Sequence, residues 1–135
     1  MNVDPIEEFD KWNTIKKEIS PKNTFTFKVR EVYWLKLGQN IGYETNGKGH
    51  EFLRPVLVFR KFSKDTFLGI PLTTSIKDDM FHYKFMVNNS TRINYAILSQ
   101  MKLFDISRVK SKLGKISVED FKNLKLQMKD LLELN

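Results

Sequence analysis

The apolar residues of this chain arrive in short bursts, each stopped by glycine, proline or small polar residues. That spacing limits the fold to short strands joined by tight connections. Phe25–Leu37 reads as a strand rich in aromatic and β-branched residues. A loop over Gly38–Leu53 follows and holds four of the six glycines. Pro55–Phe62 and Asp65–Leu72 read as two strands of a hairpin turning at Ser63-Lys64. Met80–Val87 reads as a fourth strand, Asn88–Arg92 as a polar turn, and Tyr95–Leu98 as a further short strand. Residues 105–116 are mixed, with a helical turn near Ser107 and a turn at Gly114.

Two segments have helical period instead. Ser117 suits the N-cap of a helix running to about Leu132, with Phe121, Leu124, Met128, Leu131 and Leu132 on one face. Residues 4–19 form the other: Asp4 is a cap, Pro5 suits the first helical position, and Ile6, Phe9, Trp12 and Ile19 form an apolar stripe. Ser20-Pro21 ends it. The expected organisation is therefore a helical extension and linker over 1–24 and one domain over 25–135. The chain is α+β, a small, strongly curved antiparallel β-barrel with an N-terminal and a C-terminal helix.

Composition narrows the function. There is no cysteine, which excludes a disulfide scaffold, a thiol nucleophile and thiolate metal sites, and fits a reducing compartment. The opening MNVDPIEEFD is acidic and has no apolar core of a signal peptide, and no apolar run is long enough to span a bilayer. A cytoplasmic protein without membrane contact is expected. A net charge of +7 favours polyanions: nucleic acid, an anionic membrane face or an acidic protein segment. The two histidines, His50 and His82, have no metal-ligand spacing, so no metal or other cofactor is expected.

Several residues can carry chemistry, each beside a plainer reading. Gly42–Lys48 matches most of a phosphate-binding loop, but Gly49 replaces the Ser or Thr and a strand follows instead of a helix. It reads as a glycine-rich surface loop able to close over a ligand, with Lys48 and His50 on it. His50 is the histidine placed to exchange protons, and His82 reads as structural. Arg54, at the junction of this loop with a strand, is either an edge-strand arginine or a fixed guanidinium that binds a phosphodiester through two parallel bonds. Thr73, Thr74 and Ser75 end a strand with three hydroxyls that either cap a turn or donate to a phosphate. Gln100 is either solvated or reaches a base edge. Residues 101–115 hold Lys102, Arg108, Lys110, Lys112 and Lys115 against the single acid Asp105, which reads as a solvated face or as a phosphate-tracking stripe.

The order of these pieces resembles the MazF/PemK toxin family from residue 30 to residue 132. Arg30–Leu35 is similar to that family's opening strand, with Arg30 where the family usually has Gly. Gly42-Tyr43-Glu44 followed by Arg54–Val58, then Ile70–Thr74, then Ala96–Asp105, then Arg108-Val109 and Lys112–Ile116 follow its remaining motifs in order. The resemblance implies an SH3-like curved sheet, a homodimer, a cognate antitoxin, and metal-independent cleavage of single-stranded RNA. RNA supplies its own nucleophile, the 2′-hydroxyl, so such an enzyme aligns it and stabilises the phosphorane. By similarity, Arg54 meets the phosphorane charge, Thr73 bonds a nonbridging oxygen, and Glu44 acts as base or positions the loop. Thr74, Gln100, Lys102, Lys48, His50 and Arg108 would bind RNA. The alternative is a binding module of the same barrel that is not catalytic or that acts on a DNA enzyme such as gyrase.

Overall fold

A computed structural model describes residues 26–37 and 52–134. Among the described residues are seven strands: β1 (Glu31–Lys36), β2 (Leu53–Lys61), β3 (Thr66–Thr73), β4 (His82–Met86), β5 (Ile93–Ile97), β6 (Lys102–Asp105) and β7 (Val109–Lys115). One helix, α1 (Val118–Leu131), follows them. Every pairing is antiparallel, in the order β4–β5–β3–β2–β1–β7. The sixth strand lies off that path and pairs with β3. The expected N-terminal helix over 4–19, and with it the 1–24 extension, lies outside the described residues.

The third strand organises the sheet because it changes partner along its length. Thr66–Gly69 pairs with β6, and Leu72-Thr73 pairs with β5. Ile70 and Pro71 fall between, where neither partner is paired, and Pro71 has no N–H to lose there. Strands β2 and β3 are therefore buried on both faces, which is why they read as near-continuous apolar runs. One face holds Tyr33, Leu35, Val56, Val58, Phe67, Phe104 and Val109. The other holds Val32, Leu57, Ile70, Leu72 and Ala96, with Phe121, Leu124 and Met128 of α1 packed over them.

The sheet is not the closed barrel that the strand spacing suggests. Its two ends meet at a latch instead of a ladder. Asn88 N–H donates to the Lys115 carbonyl (3.0 Å), and Lys115 N–H donates to Asn88 Oδ1 (2.7 Å). A Cβ on Gly114 would sit 2.5 Å from the Asn88 carbonyl oxygen, so only glycine lets the ends approach this closely. Gly69 has the same role inside the concave core, where a Cβ would lie 2.6 Å from Val56 Cγ1 and 2.8 Å from Phe104 Cδ2.

Beyond shifts of one or two residues at strand ends, the elements differ from the sequence expectations in four places. The Phe25–Leu37 strand is only β1, because a turn at Val29-Arg30 precedes it and is closed by the Glu31 N–H to Lys28 carbonyl bond (3.2 Å). Residues 102–105 and 109–115 are strands β6 and β7, with the expected helical turn at Ile106–Arg108 between them. Gly114 lies inside β7 and is not a turn. An edge strand studded with Lys110, Lys112 and Lys115 keeps its alternation hidden from a hydropathy reading. Leu132 is the C-cap of α1 and is 48% exposed, so it does not line the buried face. The hairpin at Ser63-Lys64 is present, with Ser63 Oγ accepting from Asp65 and Thr66 N–H. The Ser117 cap is also present, with its Oγ accepting from Asp120 N–H (3.0 Å).

Arg30 adopts a φ of 80°, a left-handed conformation that favours the glycine usual in the resembled family. Its Nε donates to the Ile116 carbonyl (3.2 Å) and its carbonyl accepts from Ile116 N–H. Strain of about 1 kcal/mol is thus set against a bond of about the same size.

Three outcomes follow for stability. Gly114→Ala and Gly69→Ala should each lower unfolding free energy by about 1–3 kcal/mol in denaturant titrations. Arg30→Gly should be close to neutral, whereas Arg30→Ala, which keeps the strain and loses the bond, should be the less stable of the two. The third concerns acid. Burial pushes the Glu31 carboxyl up, but bonds from the Tyr33 hydroxyl, Lys112 Nζ (2.9 Å) and Lys28 N–H (2.8 Å) outweigh it and leave Glu31 below the usual carboxylate range. A group lowered by folding stabilises the protein above its unfolded pKa and loses that contribution as pH falls through the folded one. Glu31→Gln should therefore flatten the loss of melting temperature on acidification below the ordinary value of 4.5.

Candidate active site

Arg54 and Thr73 lie at one end of the concave face. On β2 the alternation Arg54-Val56-Val58 keeps Arg54 on the face of the concave core, and on β3 Phe67-Gly69-Pro71-Thr73 does the same. Val56 pairs with Pro71, so two residues further along each strand Arg54 comes level with Thr73. Leu35 of β1 pairs with Arg54 on its other side.

Both side chains are buried: Arg54 is 7% exposed and Thr73 8%. Arg54 Nη1 donates to the Leu72 carbonyl (3.0 Å). That bond fixes the guanidinium beside Thr73, since Leu72 is the adjacent residue. Burial lowers the Arg54 pKa from its ordinary value. A buried cation is costly, and a chain that needed only stability could place an apolar residue there. The Thr73 Oγ1 accepts from Ser75 N–H (3.1 Å). A hydroxyl has one hydrogen and two lone pairs, so this bond orients Thr73 and leaves its hydrogen available to donate. The turn-capping and ligand-donating readings of the hydroxyl run are therefore compatible. Thr74 is half-buried next to it and Ser75 is exposed.

Gln100 ends the Leu98–Gln100 turn that carries the chain from β5 to β6. Since β5 pairs with the end of β3 and β6 with its start, this crossing passes alongside Ile70-Pro71. Lys102 opens β6 opposite Gly69, with its Nζ 5.5 Å above the Phe104 ring. Arg108 closes the next turn and donates from Nη1 to the Lys36 carbonyl at the end of β1 (3.0 Å). Leu37, Lys102, Leu103, Phe104 and Arg108 line a cavity of about 210 Å³. The structure thus brings Arg54, Thr73 and Thr74 together and sets Lys102 on the neighbouring β6, with Gln100 and Arg108 in the turns before and after it.

Glu44, Lys48 and His50, with the Gly38–Leu53 loop as far as residue 51, lie outside the described residues. His82 has a structural setting: its Nδ1 meets Asp79 Oδ1 (2.6 Å), and its carbonyl accepts from Gln127 Nε2 of α1 (2.9 Å). Among the described residues no three His, Asp or Glu side chains converge as a metal site would need, and no helix is long and apolar enough to cross a membrane. Sequence reasoning missed the apolar wall of Leu37 and Phe104 and the anchoring Leu72 carbonyl. The alternation Lys102-Leu103-Phe104 was the one signal for the wall, and a main-chain carbonyl leaves none.

Comparison with known proteins bears on the family and the fold. Residues 28–132 match the family model for the PemK-like, MazF-like toxin of type II toxin–antitoxin systems. No curated protein matches the sequence. Among solved structures, MazF from Deinococcus radiodurans superposes with a TM-score of 0.65 at 17% identity, covering 82% of this chain and 99% of that one. The Mycobacterium tuberculosis toxin MazF-mt6 gives 0.62 at 13% identity, covering 78% and 99%. An endoribonuclease in complex with its cognate antitoxin from a mycobacterial species gives 0.64 at 12% identity, covering 82% and 98%. At these identities the superpositions speak for the fold, while the family match spans most of the sequence. The chain belongs to the PemK-like, MazF-like toxin family of type II toxin–antitoxin systems.

Proposed function

We propose that this chain is a sequence-specific endoribonuclease that cuts single-stranded RNA without a metal ion. The 2′-hydroxyl attacks the adjacent phosphorus, a P–O bond forms, and the bond to the 5′-oxygen breaks. The products are a 2′,3′-cyclic phosphate and a 5′-hydroxyl, and the proton lost by the nucleophile is matched by the one gained by the leaving group. The observation that carries this reading is the buried Arg54 guanidinium, held by the Leu72 carbonyl beside the Thr73 hydroxyl.

Each group has a role in that chemistry. Arg54 meets the charge that grows on the phosphorane, in a site that excludes water and so strengthens the contact. Burial also makes it a better acid toward the 5′-oxygen, because its pKa is lowered. Thr73 donates to a nonbridging oxygen. Glu44 is the base or holds the substrate loop. Thr74, Gln100, Lys102, Lys48, His50 and Arg108 bind the RNA on either side, chiefly through phosphates, which position the strand without reading it. The protein acts in the cytoplasm as a homodimer and is restrained by a cognate antitoxin. The family relation and the antitoxin in one related complex support this setting.

Purified protein incubated with a mixed-sequence RNA in EDTA should give discrete cuts. Arg54→Ala should lower kcat by about 10²–10³-fold, the size of removing one preorganised donor. Arg54→Lys should recover little of it, since an ammonium lacks the planar fork. Thr73→Val should cost about tenfold, one hydrogen bond to a charged oxygen. Circular dichroism checks that each variant remains folded. Full activity in folded Arg54→Ala would refute the assignment.

A further inference from the structure

The cavity beside the proposed active site combines two cations with an apolar wall. Lys102 and Arg108 supply charge, and Leu37, Leu103 and Phe104 supply surface. Among the described residues, Asp105 at the end of β6 is committed to capping, since its Oδ1 accepts from Ser107 N–H (2.8 Å). A fitting occupant is acidic and carries apolar side chains.

The chain itself contains such a segment. Its first ten residues hold four acids (Asp4, Glu7, Glu8, Asp10), no Lys or Arg, and the apolar Ile6 and Phe9. Removing those four from 16 acids leaves 12 against all 23 bases, so a stretch of charge −4 is joined to a body of charge +11. It also precedes residue 28, where the family match begins.

The described chain starts close to the cavity. Phe27 is buried against Phe67 with ring centroids 5.2 Å apart, and Phe67 stacks on Phe104 at 5.8 Å. Phe27 is therefore no more than about 11 Å from the ring that walls the cavity. The sixteen residues between Asp10 and Phe27 span up to about 50 Å when extended, more than the distance required.

We infer that the acidic segment around residues 4–10 docks on the Lys102–Arg108 cavity of its own chain. Carboxylates meet the two cations, and Ile6 or Phe9 packs on the Phe104 wall. The consequence for catalysis rests on the proposed function: the segment competes with RNA phosphates for the same cations, and the apparent affinity for RNA falls by the fraction of time the cavity is free.

Zero-length carbodiimide coupling tests the contact without any appeal to activity. It joins a carboxylate to a lysine amine only when the two touch. Full-length protein, diluted and mixed with an isotope-labelled copy, should give a cross-link between residues 4–10 and Lys102 within single chains. An RNA oligonucleotide should suppress it, and Arg54→Ala should retain it. In the cleavage assay, the full-length quadruple variant Asp4→Asn, Glu7→Gln, Glu8→Gln, Asp10→Asn should show a KM lowered by roughly threefold or more with kcat unchanged. Cross-links confined to Lys122, Lys125 or Lys129 of α1, or formed only between labelled and unlabelled copies, would overturn the inference. A cross-link to Lys102 in a protein that does not cut RNA would uphold the contact and reject the function.

Discussion

The change of partner along β3 is the constraint on which this structure depends. Because β6 pairs with Thr66–Gly69 and β5 with Leu72-Thr73, the sheet must bend where neither is paired. Two cores lie on the opposite faces of β2 and β3. The antiparallel β2–β3 hairpin sets the end of β3 beside the start of β2. Gly69 and Pro71 make the bend possible by different means. Gly69 gives up a side chain where Val56, Phe67 and Phe104 converge. Pro71 gives up an N–H where neither β5 nor β6 is paired to receive it.

The proposed chemistry would draw on that geometry at small additional cost. Arg54 sits at the mouth because the β2 alternation that buries Val56 and Val58 carries one step further. Its charge is tolerated because the Leu72 carbonyl is turned toward it. The same carbonyl lies next to Thr73, so the group that holds the cation also fixes its distance from the hydroxyl. A guanidinium that is nearly dry and already oriented loses little freedom when a phosphate arrives, which is the usual origin of electrostatic catalysis. Lys102 and Arg108 are exposed and differ in kind: under the proposed function they would track a polyanion, and an acidic segment would compete for them.

Much of this was legible in the sequence where the local signal and the final environment coincide. The hairpin at Ser63-Lys64, the Ser117 cap and the apolar face of α1 are encoded by neighbours in the chain. Arg54 and Thr73 were legible through the order of family motifs, and the structure adds why they meet. What escaped has physical reasons. The seventh strand is an edge rich in lysine, so its pattern shows no apolar alternation. The ends of the sheet meet through Asn88 with Gly114 and Lys115, two strands and part of a third further along the chain, which no local pattern carries. The turn at Arg30 was hidden because a non-glycine residue holds a left-handed conformation there, secured by the Ile116 carbonyl.

In the proposed reaction the nucleophile is the substrate's own 2′-hydroxyl. An RNA oligonucleotide bearing a single 2′-deoxy substitution on the 5′ side of the mapped cut should bind the protein as the unmodified strand does and resist cleavage at that bond. Its unmodified twin should yield a 2′,3′-cyclic phosphate, read by mass. Cleavage of the deoxy strand at the same bond would mean that water or a protein group attacks the phosphorus, and would contradict the role given to the Arg54–Thr73 pair.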